Sequence, residues 1–176
     1  MRAIQYCLML FTIFYAVHWL EAITHEYLAG IMLILAVQFF QILVHETSHA
    51  ITASRLGCRV RTLAAMPLSL DIATRQITLA KRPLRGDIGG YVIFGHSHHW
   101  SPAKLMVVAA AGPCADIVLG TVCLLSQALL ASGLAQELCR ALASLAFGSA
   151  LINLIPVRQS DGAQVLSGLR YLSARR

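Results

Sequence analysis

Long apolar stretches alternate with shorter polar ones along this chain. Four stretches are each close to, or above, the roughly 20 residues that a helix needs to cross a bilayer core. They cover residues ~3–20, ~27–56, ~102–134 and ~138–155. A secretory signal peptide is the alternative for the first stretch, but the sequence at 19–22 fits a small-x-small cleavage site poorly. We therefore expect about four transmembrane helices.

Residues ~58–100 follow a different pattern. Leu68 and Leu70 alternate with polar or small residues, and Ile77 and Leu79 resume the alternation after a polar break at 74–76. A period of two about a polar break predicts a β-hairpin. The glycine-rich segment 89–95 fits either a further short strand or a loop that enters the membrane. We thus expect a mainly α-helical membrane protein with a small β-hairpin or sheet inserted between helices two and three.

Composition strengthens the membrane assignment. Of the 176 residues, 57% are hydrophobic and 12% charged, whereas soluble domains carry roughly 25% charged residues. The length predicts a single domain, 1–176, that closes with a short helix at ~161–173. Apart from Arg140, every Lys and Arg lies in residue 2, in 55–104 or in 158–176. Four helices put these regions on one side, which the positive-inside rule makes cytoplasmic.

The positive net charge of +6 does not indicate nucleic acid, because the basic residues are spread over these loops. The partners expected from composition are membrane lipids. The five cysteines are scattered without a C-x-x-C pair, which argues against a disulfide framework.

The main candidate for chemistry is the segment 45–49, which reads H-E-T-S-H at the end of the second apolar stretch. A helix turns about 100° per residue, so His45 and His49 share one face, about 40° apart, and both can bind one metal ion. Glu46 lies beside them, where a carboxylate can hold and deprotonate water. Neutral imidazoles with an adjacent carboxylate are typical of a zinc hydrolase.

A catalytic zinc site commonly has three protein ligands. The patterns of soluble zinc proteases are missing, because no glutamate occurs between Glu46 and Glu137 and the extended histidine motif is absent. Asp71 and Asp87 fall in the charged loop, and Glu137 falls on the opposite side of the membrane. Asp161 and Asp116 remain as candidates. The cluster His96, His98 and His99 is read as part of an interfacial loop with Trp100 as its anchor.

At this point the sequence resembles the site-2 protease family of intramembrane zinc metalloproteases. The resemblance rests on the segment 45–57, on the N-x-x-P-x-x-x-x-D-G element at 153–162, and on the shorter segments 89–92 and 111–113. It implies that Asp161 is the third ligand of one Zn²⁺ ion and that Asn153 positions the substrate or stabilises the oxyanion. The chain departs from the family pattern at Asp116, Ser160 and Ala163.

The resemblance implies a zinc metalloendopeptidase that cleaves a single-span membrane protein in or near its transmembrane segment. The placement of Lys and Arg puts its active site toward the cytoplasmic side of the membrane, which we expect to be a bacterial cytoplasmic membrane. A non-proteolytic membrane protein that keeps zinc as a regulatory or structural centre is the alternative. A metal transporter is a weaker one, because four spans without internal repeats differ from transporter folds. Glu46 favours the protease, since a structural zinc site does not need a base.

Overall fold

The computed structural model describes residues 7, 10–18, 27–80, 89–95, 100–157 and 160–175. These residues form four long or medium helices and four strands, and residues 10–18 are helical as well. The helices are α1 (Tyr27–Arg55), α2 (Pro102–Gln127), α3 (Leu134–Leu154) and α4 (Asp161–Ser173), and the strands are β1 (Val60–Ala65), β2 (Leu68–Asp71), β3 (Gln76–Leu79) and β4 (Gly90–Phe94). A mainly helical chain with a small sheet between α1 and α2 is the fold class that the sequence predicts.

Three of the described helices are long and apolar enough to cross a membrane. They are Leu28–Arg55, Pro102–Gln127 and Leu134–Leu154, with mean hydropathies of 2.1, 1.9 and 1.2. Their outward faces carry large apolar side chains, such as Leu28 at 73% and Leu125 at 67% exposure, as lipid contact requires. The expected helix at ~3–20 lies only partly within the described residues, so the total of four spans stays a prediction.

The break between α2 and α3 lies earlier than the sequence suggests. The predicted stretches end at ~134 and begin at ~138, whereas α2 ends at Gln127 and α3 begins at Leu134. Gly133 has a φ of 152°, which no helix accommodates. Hydropathy does not detect this break because Leu129, Leu130 and Leu134 around it are apolar.

The sheet is antiparallel throughout, in the order β3-β2-β1-β4. The hairpin of β2 and β3 is the predicted one, and its turn is closed by Asp71, whose Oδ1 accepts the backbone N–H of Thr74 at 2.9 Å. This hydrogen bond lowers the pKa of the Asp71 carboxyl. Residues 90–94 pair with β1 and therefore form a strand. Of the two alternatives for this segment, the structure supports the short strand and not the loop that enters the membrane.

The sheet is attached closely to the end of α1. Gly57 has a φ of 84°, and Cys58 N–H donates to the carbonyl of Ala53 at 2.9 Å, so the chain leaves the helix in a tight glycine cap. A buried cluster of Ala53, Cys58 and Val108 then holds α1, β1 and the start of α2 together. The β sheet is thereby fixed next to the turns of α1 that carry the histidine motif.

Helix α2 is the centre of the bundle, since it packs against α1, α3 and α4. At the far end of the bundle, Ala16 of the N-terminal helical segment, Ile34 of α1 and Leu145 of α3 form a second buried cluster. Pro113 lies inside α2, which continues past it without interruption. The predicted short C-terminal helix is α4, and it packs along α2.

Candidate metal centre

Helix α1 brings His45 and His49 to one point in the interior. Both side chains are buried, and their Nε2 atoms lie 3.1 Å apart. The two rings meet edge to face, with centroids 4.8 Å apart. The i, i+4 spacing therefore places both rings on one face of the helix, as the sequence predicts, and the Nε2 atoms of both rings point to one place.

Asp161 comes to the same place from the other end of the chain. Its Oδ2 lies 3.4 Å from His45 Nε2 and 3.5 Å from His49 Nε2. The three side chains form a group that could hold a metal ion, with one ligand atom from each within 4.8 Å of the others.

The start of α4 holds Asp161 in this position. Ser160 is the N-cap residue: its Oγ accepts the N–H of Ala163 at 3.1 Å. The same hydroxyl donates to the carbonyl of Ile155 at 2.7 Å, just beyond the end of α3. At Gly162, any Cβ would overlap the carbonyl of Leu154. Ser160, where the chain departs from the family pattern, and Gly162 of the D-G pair thus both allow the short, closely packed connection between α3 and α4.

The spacing of the three atoms fits a zinc ion. Two ligands at about 2.0–2.1 Å from a tetrahedral zinc lie about 3.3 Å apart, and the observed separations are 3.1, 3.4 and 3.5 Å. Gly112 of α2 provides a second test. A Cβ at this position would contact the Nε2 atoms of both His45 and His49, so the missing side chain leaves the volume that an ion between the histidines would occupy.

The other nitrogen of each ring has a partner of its own. His49 Nδ1 lies 2.7 Å from the backbone carbonyl of Val108, and His45 Nδ1 lies 2.7 Å from Asp116 Oδ2. A carbonyl or an ionised carboxylate only accepts, so both Nδ1 atoms carry a hydrogen, and each ring in its neutral form keeps a lone pair on Nε2. Asp116 therefore lies behind His45, on the side away from Asp161. Of the two candidates for the third ligand, only Asp161 lies near the Nε2 atoms.

Glu46 lies at the border between α1 and the sheet. Its side chain is partly buried, and a Cβ added at Gly90 of β4 would be 2.6 Å from its Cγ and 2.8 Å from its Oε1. The strand therefore passes directly beside the predicted base. Because only glycine permits this approach, Gly90 sets the distance between the sheet and Glu46.

Asn153 is placed near the end of α3, where its amide Nδ2 donates to Ser149 Oγ at 3.3 Å, one turn earlier in the same helix. This local hydrogen bond does not test the role that the resemblance implies, which stays a prediction. The partner of Glu137 is Arg140. Asp87, His96, His98 and His99 lie outside the described residues.

Sequence reasoning missed three parts of this centre. Gln41 lies one turn before His45 and donates to Asp116 Oδ1 at 2.8 Å; its amide in an otherwise apolar run was the available signal. The carbonyl of Val108 carries no signal in the sequence. Neither does the contact between Gly90 and Glu46, since it depends on how the sheet packs against α1.

A comparison with known protein families gives a match. The model of a protein family described as Peptidase family M50 matches residues 31–134, which is more than half of the chain. The matched range contains the histidine motif, the sheet and α2, and it ends before Asp161. No curated protein and no solved structure is similar enough to the chain to count as a match.

Proposed function

Since this chain belongs to peptidase family M50, the site-2 protease family of membrane metalloproteases, we propose that it is an intramembrane zinc endopeptidase. Its substrate is a single-span membrane protein that is cut within or near the transmembrane segment. The observation that carries the proposal is the convergence of His45 Nε2, His49 Nε2 and Asp161 Oδ2 at zinc-like separations, at the end of an apolar helix.

In this proposal His45, His49 and Asp161 hold one Zn²⁺ ion. When bound, zinc supplies a Lewis acid that makes water a nucleophile near neutral pH and offsets negative charge on the attacked carbonyl. Glu46 accepts the proton from the attacking water and delivers it to the leaving amine. Its position supports this role, because Glu46 precedes His49 by one turn on α1 and its partly buried side chain lies beside Gly90 of β4.

Asn153 is proposed to bind the carbonyl oxygen of the cleaved bond, on the strength of the family resemblance. Its position at the end of α3 supports this, because α3 leads into the short turn before Asp161. A donor aimed at a developing oxyanion stabilises the transition state more than the ground state. In the proposed reaction, Asn153 therefore affects the rate of cleavage and leaves zinc affinity unchanged.

The sheet offers a way to hold the substrate. Carbonyls of a transmembrane helix are hydrogen-bonded internally, so the helix has to unwind before water can attack. β4 is one of the two edge strands of the described sheet and has β1 on one side only. An unwound segment can pair with such an edge by main-chain hydrogen bonds. Because Gly90 of this strand contacts Glu46, a peptide on the edge would lie near the proposed base.

The active site is proposed to open toward the cytoplasm. Basic residues follow α1 directly and occur again in and after α4, at Arg55, Arg59, Arg61, Arg75, Arg170 and Arg175. Lys and Arg in short loops favour the cytoplasmic side. Reporter fusions after residue 57 and after residue 131 test this placement: a cytoplasmic reporter should be active only at the first.

The decisive test is cleavage of a purified single-span substrate in proteoliposomes by wild type, Glu46→Gln and the control Ser54→Ala, whose site is exposed on the same helix. Wild type and Ser54→Ala should cut, a chelator should stop both, and added zinc should restore both. Glu46→Gln should keep its zinc and lose cleavage. Undiminished cutting by Glu46→Gln would refute the assigned base, and zinc binding without any cutting would favour a regulatory or structural zinc centre.

A further inference from the structure

Asp116 is the most deeply buried of the polar side chains that the structure describes, with 0% exposure. It lies in the middle of α2, within a stretch apolar enough to cross a membrane. Both of its oxygens receive hydrogen bonds from α1: Gln41 Nε2 donates to Oδ1 at 2.8 Å, and His45 Nδ1 lies 2.7 Å from Oδ2. The carboxylate therefore joins two helices through one histidine and one amide.

The charge of this group needs an explanation. An ionised carboxylate accepts only, and each oxygen of Asp116 lies at hydrogen-bond distance from a nitrogen of α1. A charge inside a transmembrane helix is expensive to bury. An asparagine could make the same two hydrogen bonds after a flip of the Gln41 amide, without a buried charge. A purely structural bridge between α1 and α2 therefore does not require aspartate.

The two histidines differ in the hydrogen-bond partner of their Nδ1 atoms. The partner of His49 Nδ1 is the neutral carbonyl of Val108, whereas the partner of His45 Nδ1 is the Asp116 carboxylate. A carboxylate behind an imidazole fixes its orientation and makes the opposite nitrogen a stronger electron donor to a metal. Nε2 of His45, which faces Asp161, is thus a stronger electron donor to a metal than Nε2 of His49.

We infer that Asp116 is a positioning residue that strengthens metal binding through His45, with Gln41 holding the carboxylate in place. The inference rests on the proposed metal centre and adds a residue that does not touch the ion. It assigns a use to the aspartate at which this chain departs from the family pattern. Its effect is on the affinity and the ligand field of the ion, which a residue that merely fills space between α1 and α2 would not change.

The experiment compares the full chain in detergent as wild type, Asp116→Asn and the control Cys114→Ser, an exposed site on the same helix. Zinc dissociation constants are measured by competition with a chromophoric chelator, and the absorption of the Co²⁺-loaded proteins reports the ligand field. Asp116→Asn should bind zinc about 10- to 100-fold more weakly, the range for lost partners of metal-bound histidines. Its Co²⁺ bands should shift, and its unfolding without metal should match wild type.

Zinc affinity and Co²⁺ bands equal to wild type in Asp116→Asn would overturn the inference. If Asp116→Asn does not fold, Gln41→Met replaces it as the test. That variant removes one hydrogen bond from the carboxylate and should weaken zinc binding by a smaller factor, and unchanged affinity there overturns the inference equally. Wild type that binds no zinc would instead refute the proposed metal centre itself, so the two failures are distinguishable.

Discussion

His45 Nε2 and His49 Nε2 face each other at 3.1 Å, and in the neutral rings both atoms carry a lone pair, because the hydrogen of each ring lies on Nδ1. Two lone pairs at this distance repel unless a cation lies between them. The backbone of α1 and the packing of α2 nevertheless hold the rings in place. The fold therefore places two ring nitrogens where one metal ion could bind both.

The first prediction concerns metal removal. A ligand that binds only the folded protein at 100 times its dissociation constant raises the free energy of unfolding by about 2.7 kcal/mol. We expect the unfolding temperature to fall after chelation and to recover with zinc, as followed by intrinsic fluorescence in detergent. An unchanged transition in protein shown by elemental analysis to have lost its metal would contradict the site.

The second prediction tests the third ligand. Asp161→Asn keeps the shape of the side chain but removes its charge, so zinc affinity should fall by more than the roughly 10- to 100-fold typical of residues that support a ligand. Asp71→Asn is the matched control, because an asparagine can still accept the N–H of Thr74 in the hairpin turn. Chelator competition measures both variants, and equal losses in the two would exclude a specific role for Asp161.

The third prediction concerns Gly112. Alanine at this position would place a methyl group against both Nε2 atoms, so Gly112→Ala should fold but bind little or no zinc. Gly120→Ala on the same helix is the control, because its Cβ would meet Phe147 at 2.9 Å instead. That overpacking should reduce stability by about 1–3 kcal/mol and preserve one zinc per chain. Full zinc occupancy in Gly112→Ala, by elemental analysis, would refute the proposed ion position.

The fourth prediction concerns Ser160, at which the chain departs from the family pattern. Ser160→Ala removes the N-cap of α4 and should destabilise the protein by about 0.5–2 kcal/mol. It should also weaken zinc binding, because Asp161 is the next residue. Ser160→Thr keeps a capping hydroxyl and should restore both properties. If alanine and threonine variants bind zinc equally well, the cap does not position Asp161.

The fifth prediction tests whether strand β4 is needed for cleavage but not for zinc binding. A Cβ at Gly90 would be 2.6 Å from Glu46 Cγ and 2.7 Å from the carbonyl oxygen of Ala64, so β4 or Glu46 has to move. Gly90→Ala should therefore keep zinc and lose most cleavage. At Gly95, in the residue after β4, an added Cβ would approach Arg59 no closer than 3.3 Å, so Gly95→Ala should stay active. A proteoliposome assay with both variants measures this difference, and full activity of Gly90→Ala would refute the role of β4.

The sequence predicted the parts of the fold that depend on neighbouring residues. Apolar length predicted the helices α1, α2 and α3, and alternation about a turn predicted the β2–β3 hairpin. The break at Gly133 was misplaced because apolar residues continue through it. The position of Glu46 beside His49 is also local, because both lie on one helix.

The sequence by itself determined that His45 and His49 share a helix face in an apolar setting, since helix geometry fixes the angle between them. It left Asp116 and Asp161 as the remaining candidates for the third ligand, and the family resemblance then favoured Asp161. The tertiary structure separated them, because the packing of α2 against α1 puts Asp116 at Nδ1 of His45, and the packing of α4 along α2 puts Asp161 at Nε2. Such distances between remote residues depend on side-chain packing, which no local pattern encodes.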